Sequence, residues 1–272
     1  MEIAPGIHNV ITEPEPVMGV TNTYLIVGRT GAVWVDTGWD RPGEGQARVD
    51  YWKKLGSPPL RGIAVTHRHP PHWGNAPLIQ RECGGPPIIA TYQEADAINE
   101  RLKIARVDRP VRDGETLSLG DKTLQFVFAP GHTYGTMAVF IQESRSLFPG
   151  DAIMGVGTSV VNPGEGEIAL FLDTMQKFLR MNPSVIYTGQ GPVVTDPRAK
   201  INELIQHRRQ REEEVLSQLR TGPKTVEQMF GAIYSGLNER LSNLAKNQIK
   251  SHLIKLQNEG RVVADGETYW LK

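Results

Sequence analysis

Short apolar runs alternate with loops over the first 197 residues. Ile7–Ile11, Tyr24–Val27 and Ala32–Val35 are rich in β-branched and aromatic residues and are bounded by Gly or Pro, which predicts strands. The further predicted strands are Gly62–Thr66, Pro87–Ala90, Thr116–Leu119, Lys122–Phe128, Thr136–Ile141, Ser146–Phe148 and Val185–Tyr187. Apolar residues at helical spacing predict four helices: Gly45–Leu55, Ala76–Cys83, Gln93–Leu102 and Glu167–Leu179. Strands and hairpins interleaved with helices predict a layered α/β or α+β body.

The pattern changes after Pro197, where polar helices replace the short strands. The predicted elements are a long helix Arg198–Arg220, helices Thr225–Tyr234 and Asn238–Glu259, and a hairpin of Arg261–Ala264 with Thr268–Leu271. Two helices followed by a hairpin are typical of a winged-helix module. We therefore predict three parts: a catalytic domain over 1–197, a connecting helix over 198–220 and a winged-helix-like domain over 221–272.

Composition and charge exclude several classes of protein. The 272 residues carry no net formal charge, which argues against a polybasic nucleic-acid binder, and the single cysteine, Cys83, excludes an intrachain disulfide. Residues 198–272 have 13 Lys and Arg against 9 Asp and Glu, so this tail could contact a polyanion, or simply be a solvated helical surface. No apolar run approaches the ~18 residues of a membrane span, and residues 1–17 lack the features of a secretory leader. We expect a cytoplasmic protein that does not enter a membrane.

A histidine cluster follows the predicted strand Gly62–Thr66. The sequence THRHPPHWGN places His67, His69 and His72 within six positions, although the chain has only seven histidines. In layered α/β folds, functional sites gather at the carboxyl ends of strands. Two histidines spaced by one residue can direct both imidazoles toward one ion. The cluster therefore indicates a metal site.

Two more metal-competent side chains end predicted strands in the same way. His132 follows Pro130-Gly131, and Asp151 follows Pro149-Gly150. Glycine beside each of them allows close approach of the backbone. Imidazole and carboxylate donors together suit Zn²⁺, Fe²⁺ or Mn²⁺.

These motifs resemble the metallo-β-lactamase superfamily. The resemblance rests on THRHPPH at 66–72, PGHT at 130–133, PGD at 149–151, TGQGP at 188–192, and the opening TNTYLIVG and VDTG. The tail, with HRRQREEEVL and SHLIKLQNEGRVV, is similar to the lactamase-like branch that includes the mitochondrial endoribonuclease and its bacterial relatives. The resemblance implies an αββα core, usually two metal ions, and hydrolysis by a metal-bound hydroxide.

Matched position by position, the resemblance implies one furnished metal position and one altered one. The first position takes His67, His69 and His132, Asp151 matches the bridging carboxylate, and Asp36 matches an acid that orients a ligand histidine. The second position keeps His72, but Pro71 and Gln190 stand where the family has Asp and His. Neither proline nor glutamine is a normal zinc ligand. We therefore expect about one ion per chain, Zn²⁺ first and Fe²⁺ or Mn²⁺ as alternatives.

The leading functional hypothesis is a hydrolase of an ester, thioester or phosphodiester, with His72 or Asp151 as general base. One alternative is a mononuclear iron oxygenase that uses His67, His132 and Asp151, since two histidines and a carboxylate form the facial arrangement of non-haem Fe²⁺. Another is a binding protein that has kept the fold without catalysis. Whether the substrate is a small molecule or RNA, and whether the chain forms a homodimer, stays open from the sequence.

Overall fold

The computed structural model of the chain describes residues 1–11, 21–102 and 105–272; part of the stretch 1–17 therefore lies outside it. The described residues form two compact units. Unit 1 comprises residues 1–129, 135–159 and 181–197, and unit 2 comprises residues 130–134, 160–180 and 198–272. The predicted boundaries after residues 197 and 220 stay predictions. Within the described residues, no helix is both long and apolar enough to cross a membrane.

Unit 1 contains two sheets among its described residues. The first has strands in sequence order: β1 (Glu2–Ala4), β2 (Ile7–Asn9), β3 (Tyr24–Gly28), β4 (Gly31–Val35), β5 (Leu60–Ala64), β6 (Ile88–Thr91) and β7 (Val107–Val111). The pairs up to β4 are antiparallel, and those from β4 to β7 are parallel. The parallel stretch brings the carboxyl ends of β4, β5 and β6 to one edge of the sheet.

The second sheet has the order β12-β11-β10-β9-β8. Its strands are β8 (Thr116–Ser118), β9 (Thr123–Phe128), β10 (Met137–Ile141), β11 (Ser146–Phe148) and β12 (Val185–Ile186), and only the β11–β12 pair is parallel. The two sheets bury one core between them, in which Ile26 and Val35 pack with Phe126 and Val139. Alternate residues of each strand supply this core, as the period of two requires.

Helices cover the other face of the first sheet. They are α1 (Glu44–Lys54), the single turn α2 (Pro70–Trp73), α3 (Ala76–Glu82) and α4 (Tyr92–Asn99). Their apolar residues, such as Val49 of α1 and Ile79 of α3, join Trp34 and Ile63 of the sheet in a second buried cluster. Unit 1 is thus layered as helices, sheet and sheet.

Unit 2 contains the C-terminal elements and their own core. Apart from the terminal residues Met181 and Pro197, it holds α5 (Ile168–Met181), α6 (Pro197–Leu219), α7 (Val226–Ile233), α8 (Ser242–Asn258) and a sheet of β13 (Lys224–Thr225), β15 (Thr268–Leu271) and β14 (Val262–Asp265). Leu216 and Leu219 of α6 pack with Met229, Ile249 and Leu253. Two helices and a hairpin against the end of α6 form the winged-helix arrangement that the sequence predicted.

Three short strands are absent from the predictions made from the sequence. These are β1, β7 and β13, of which β7 is the most instructive. It contains Pro110, which lacks a backbone donor, and among the described strands it pairs only with β6. Proline is tolerated on such an edge strand because one side of the strand needs no partner.

Candidate metal site

The histidine cluster lies on the connection between β5 and α3. His69 is the N-cap of α2, and Pro70 and Pro71 occupy the first turn of this helix. Proline suits these positions because the amides of a first turn have no partner within the helix. Pro71 is thus explained by local structure, and it brings no metal donor to the cluster.

Asp36 lies beneath the cluster at the end of β4 and anchors it through three hydrogen bonds. Its Oδ1 accepts from the Thr66 amide at 2.8 Å, and its Oδ2 accepts from Thr66 Oγ1 at 2.9 Å and from His72 Nδ1 at 2.7 Å. Its φ of +56° falls in the left-handed region, which costs a non-glycine residue on the order of 1 kcal/mol. The three bonds hold this strained backbone in place.

His72 is fully buried between two carboxylates. Its Nδ1 faces Asp36, and its Nε2 lies 3.4 Å from Asp151 Oδ1. Burial opposes a charge on the imidazole, but Asp36 and Asp151 outweigh this effect and raise the pKa of His72 to about 10. Within the described residues, Nε2 has no hydrogen-bond partner. A lone pair facing a carboxylate oxygen requires a cation between them, either a proton or a metal ion.

Thr66 connects Asp36 to the first histidine of the cluster. Because its hydroxyl donates to Asp36, Oγ1 is left to accept from His67 Nδ1, which lies 3.0 Å away. Donation through Nδ1 fixes the tautomer of His67 in which Nε2 carries the lone pair. That Nε2 lies 3.0 Å from His69 Nδ1. Asp36 therefore orients His72 directly and His67 through Thr66.

Asp151 follows β11, and glycine is needed on both sides of it. Gly150 has φ +54°, and a Cβ there would lie 2.5 Å from Thr66 Oγ1, so a side chain would push against the cluster. A Cβ on Gly189 would lie 2.8 Å from Asp151 Oδ1. The second oxygen, Oδ2, accepts a 2.6 Å hydrogen bond from Gln190 Nε2. The Gln190 side chain thus points its NH₂ group toward the Asp151 carboxylate, and this group cannot be a metal ligand.

Three of the candidate side chains form a group that could hold a metal ion. The ligand atoms of His67, His72 and Asp151 all lie within 4.8 Å of one another, and all three residues are buried. Two donors about 2.1 Å from a tetrahedral ion lie about 3.4 Å apart, which matches the separation of His72 Nε2 and Asp151 Oδ1. The second position of the family does not fit, since Pro71 has no donor and Gln190 is hydrogen-bonded to Asp151.

A buried clamp that the sequence analysis missed supports the His67–His69 loop. Glu94 of α4 accepts from the Arg68 amide at 2.9 Å and from Arg68 Nε at 2.8 Å, and its other oxygen accepts from the Gly135 amide at 3.0 Å. Arg68 is the residue between the two histidines. A single glutamate in a predicted helix carries no spacing signal, so only the three-dimensional contact could reveal it.

His132 belongs to unit 2. It lies on the connection Pro130–Tyr134, and its Nδ1 is 2.6 Å from the Val160 carbonyl oxygen, which can only accept. His132 therefore donates through Nδ1 and carries its lone pair on Nε2. Its predicted membership of the ligand set with His67 and His69 stays a prediction.

Two sequence models of protein families match the chain. The one described as the metallo-beta-lactamase superfamily matches residues 17–190, and the one described as the beta-lactamase associated winged helix domain matches residues 225–270. The first spans more than half of the chain and includes every candidate residue from Asp36 to Gln190.

Individual relatives agree with these matches. The chain is 30% identical over 245 residues to "Beta-lactamase-like protein 2 homolog" of Caenorhabditis elegans, which covers 89% of this chain and 80% of that protein. It is 26% identical to "Atrochrysone carboxyl ACP thioesterase" of Emericella nidulans, covering 89% of this chain and 76% of the relative. A beta-lactamase domain protein from Burkholderia ambifaria superimposes with a TM-score of 0.88 at 19% identity, covering 100% of this chain and 93% of that one. The structural likeness shows the fold, an α/β sandwich with a C-terminal winged helix.

Proposed function

Because this chain belongs to the metallo-β-lactamase superfamily and carries the winged-helix domain associated with it, we propose that it is a metal-dependent hydrolase of thioesters with a single-ion site. One observation carries the proposal. The buried side chains of His67 and Asp151, two of the ligands that we assign, converge with His72, to which we assign proton transfer, while Gln190 occupies the second oxygen of Asp151. This arrangement supports one metal position rather than two.

The ligands that we assign to the ion are His67, His69 and Asp151, with His132 as the fourth. Thr66 and Asp36 keep the His67 lone pair on Nε2, so this nitrogen would be the ligand atom. The ion would lower the pKa of an attacking water and polarise the scissile carbonyl, as metal ions do in hydrolytic sites.

Proton transfer is assigned to His72. With a cation bound at Asp151, this carboxylate would no longer favour a proton on His72 Nε2, 3.4 Å from Asp151 Oδ1, and the Nε2 lone pair would be available as a base. Asp36, at 2.7 Å from Nδ1, holds the ring and stabilises the imidazolium that forms. His72, held by Asp36, then returns the proton to the departing thiolate.

The substrate class rests on chemistry and on the relatives. A thiolate is a better leaving group than an alkoxide, so a thioester needs less activation than an oxygen ester and suits a site with one ion and one base. Thioesterase names among relatives that align along most of the chain support the same class.

The test is thiol release from N-acetylcysteamine thioesters by the full chain, reconstituted separately with Zn²⁺, Mn²⁺ and Fe²⁺. We expect turnover that is lost on chelation and lowered at least 100-fold by Asp151→Asn and His72→Gln, whereas His207→Gln, on α6, leaves it unchanged. No thiol release with any of the three metals would contradict the proposal.

An iron oxygenase is the second candidate, since His67, His72 and Asp151 supply two histidines and a carboxylate. This set differs from the one expected from the sequence by having His72 in place of His132. Oxygen consumption by the Fe²⁺ protein with a thiol or persulfide substrate, without thiol release from thioesters, would favour it over the hydrolase. Metal binding with neither activity would favour the non-catalytic alternative.

A further inference from the structure

The loop that carries His132 is held by backbone contacts within unit 2. The Gly131 carbonyl accepts from the Glu167 amide at 3.0 Å, and the Tyr134 amide donates to the Glu165 carbonyl at 2.8 Å. A Cβ on Gly131 would lie 2.4 Å from Phe171 Cα, so the loop also sits directly against α5. None of these contacts sets the rotation of the His132 ring. The hydrogen bond from His132 Nδ1 to the Val160 carbonyl sets the rotation of the ring.

The carbonyl next in sequence is held by the winged-helix domain. Val161 O accepts two hydrogen bonds from α8, at 2.6 Å from Ser251 Oγ and at 3.1 Å from Gln248 Nε2. Ser251 and Val161 are both buried, so these bonds are shielded from water. Asn247, also on α8, donates to Asn162 Oδ1 at 3.4 Å. Neighbouring residues on one side of α8 thus face the segment 160–162.

The orientation of Gln248 is fixed from its other end. Its Oε1 accepts from Arg208 Nη1 at 2.9 Å, and because a guanidinium only donates, the amide nitrogen must point toward Val161. Arg208 is buried, and its guanidinium lies 4.9 Å above the Phe171 ring, on the helix that packs against Gly131. A contiguous set of contacts therefore runs from α6 and α8 to the backbone that aims His132.

We propose that Gln248 and Ser251 are positioning residues for the metal site, and that the winged-helix domain keeps His132 in its metal-binding tautomer through Val160 and Val161. The assignment rests on the proposed function only in taking His132 as a ligand. Loss of the bonds from α8 to Val161 removes a constraint on the backbone that carries the Val160 carbonyl, and the His132 ring should then populate both of its neutral tautomers.

Two near-isosteric variants test this. Gln248→Glu keeps the acceptor for Arg208 but loses the donor to Val161, and Ser251→Ala removes only the hydroxyl. Ser251→Thr retains the hydroxyl as the conservative variant, and Gln257→Ala, exposed on the same helix, is the matched control. The tautomer of His132 is measured by NMR on ¹⁵N-labelled, metal-free protein, from the chemical shifts of the two ring nitrogens. The His132 signals are identified as those that are absent from the spectrum of His132→Ala. Metal affinity is then measured by competition with a chelator.

The parent, Ser251→Thr and Gln257→Ala should each show His132 protonated at Nδ1. Gln248→Glu and Ser251→Ala should show a mixture of tautomers and about tenfold weaker metal binding, the lower end of the range for residues that orient ligands. Variants that lose stability but keep the parent tautomer and metal affinity would overturn the inference. If the parent binds no metal, the proposed function fails, while the tautomer measurement still decides whether α8 positions His132.

Discussion

The clamp formed by Glu94 gives the sharpest test of how the His67–His69 loop is held. Replacing Glu94 with glutamine keeps the size of the side chain and removes its charge. The carboxylate is fully buried, and each of its oxygens accepts two hydrogen bonds: Oε2 from the amide and Nε of Arg68, and Oε1 from the Gly135 amide and Arg68 Nη2. A side-chain amide has one acceptor oxygen, so either orientation of the introduced glutamine leaves its own NH₂ group facing two donors.

The loss of stability in Glu94→Gln depends on which of these donors can form a hydrogen bond with water instead. The Arg68 side chain is 20% exposed, so its guanidinium can turn toward solvent, but the amides of Arg68 and Gly135 are fixed by the backbone. One of these two amides loses its partner, at about 1–3 kcal/mol, together with part of a charge-assisted pair. We expect Glu94→Gln to lower the free energy of unfolding by about 2–3 kcal/mol, below the 3–5 kcal/mol of a fully buried ion pair.

The assay is urea unfolding at pH 7.5, followed by metal titration of the folded protein. Glu100→Gln, the same change at an exposed position at the end of α4, is the control and should stay within about 0.5 kcal/mol of the parent. The folded Glu94→Gln protein should also bind metal more weakly, because Arg68 lies between His67 and His69. Parent-like stability and affinity of Glu94→Gln would refute the clamp.

Two further predictions concern the altered metal position and a buried histidine. Pro71→Asp with Gln190→His should add about one ion per chain by elemental analysis and speed thioester hydrolysis, whereas each single change should do little, because each alone leaves the second position a ligand short. An unchanged metal content of the folded double variant would count against this. Burial, Arg208 and Lys255 lower the pKa of His252 to about 3, so the unfolded chain, with a pKa near 6.5, binds the proton first as the pH falls. Stability should therefore drop below pH 6.5, by about 2 kcal/mol at pH 5, and urea unfolding of His252→Leu should lack this part of the pH dependence.

The sequence was sufficient for the layered fold and for the ends of the main strands. Periodicity and glycine boundaries located β3, β4 and β9 to within a residue or two, because those strands bury complete faces. It could not reveal β7, whose Pro110 and charged neighbours belong to an edge strand. An edge strand is defined by the strand it pairs with, which a local pattern does not record.

The candidate site, like the fold, could be predicted only in part from the sequence. Spacing and position after strands singled out His67, His69, His72 and Asp151, and the family resemblance pointed to Gln190. The hydrogen-bond partners could not be read from spacing. Glu94 with Arg68, and Gln248 with Val161, are separated by 26 and 87 residues, and such contacts depend on tertiary packing.

The number of metal ions per chain tests the central claim most directly. Full-length protein is loaded with Zn²⁺, equilibrated against a weak chelator and analysed for metal and protein in the same sample, with Asp151→Asn as the variant that should lose affinity. Because Pro71 has no donor atom and Gln190 donates to Asp151 at 2.6 Å, we predict about one ion per chain. Two tightly held ions per chain would contradict it.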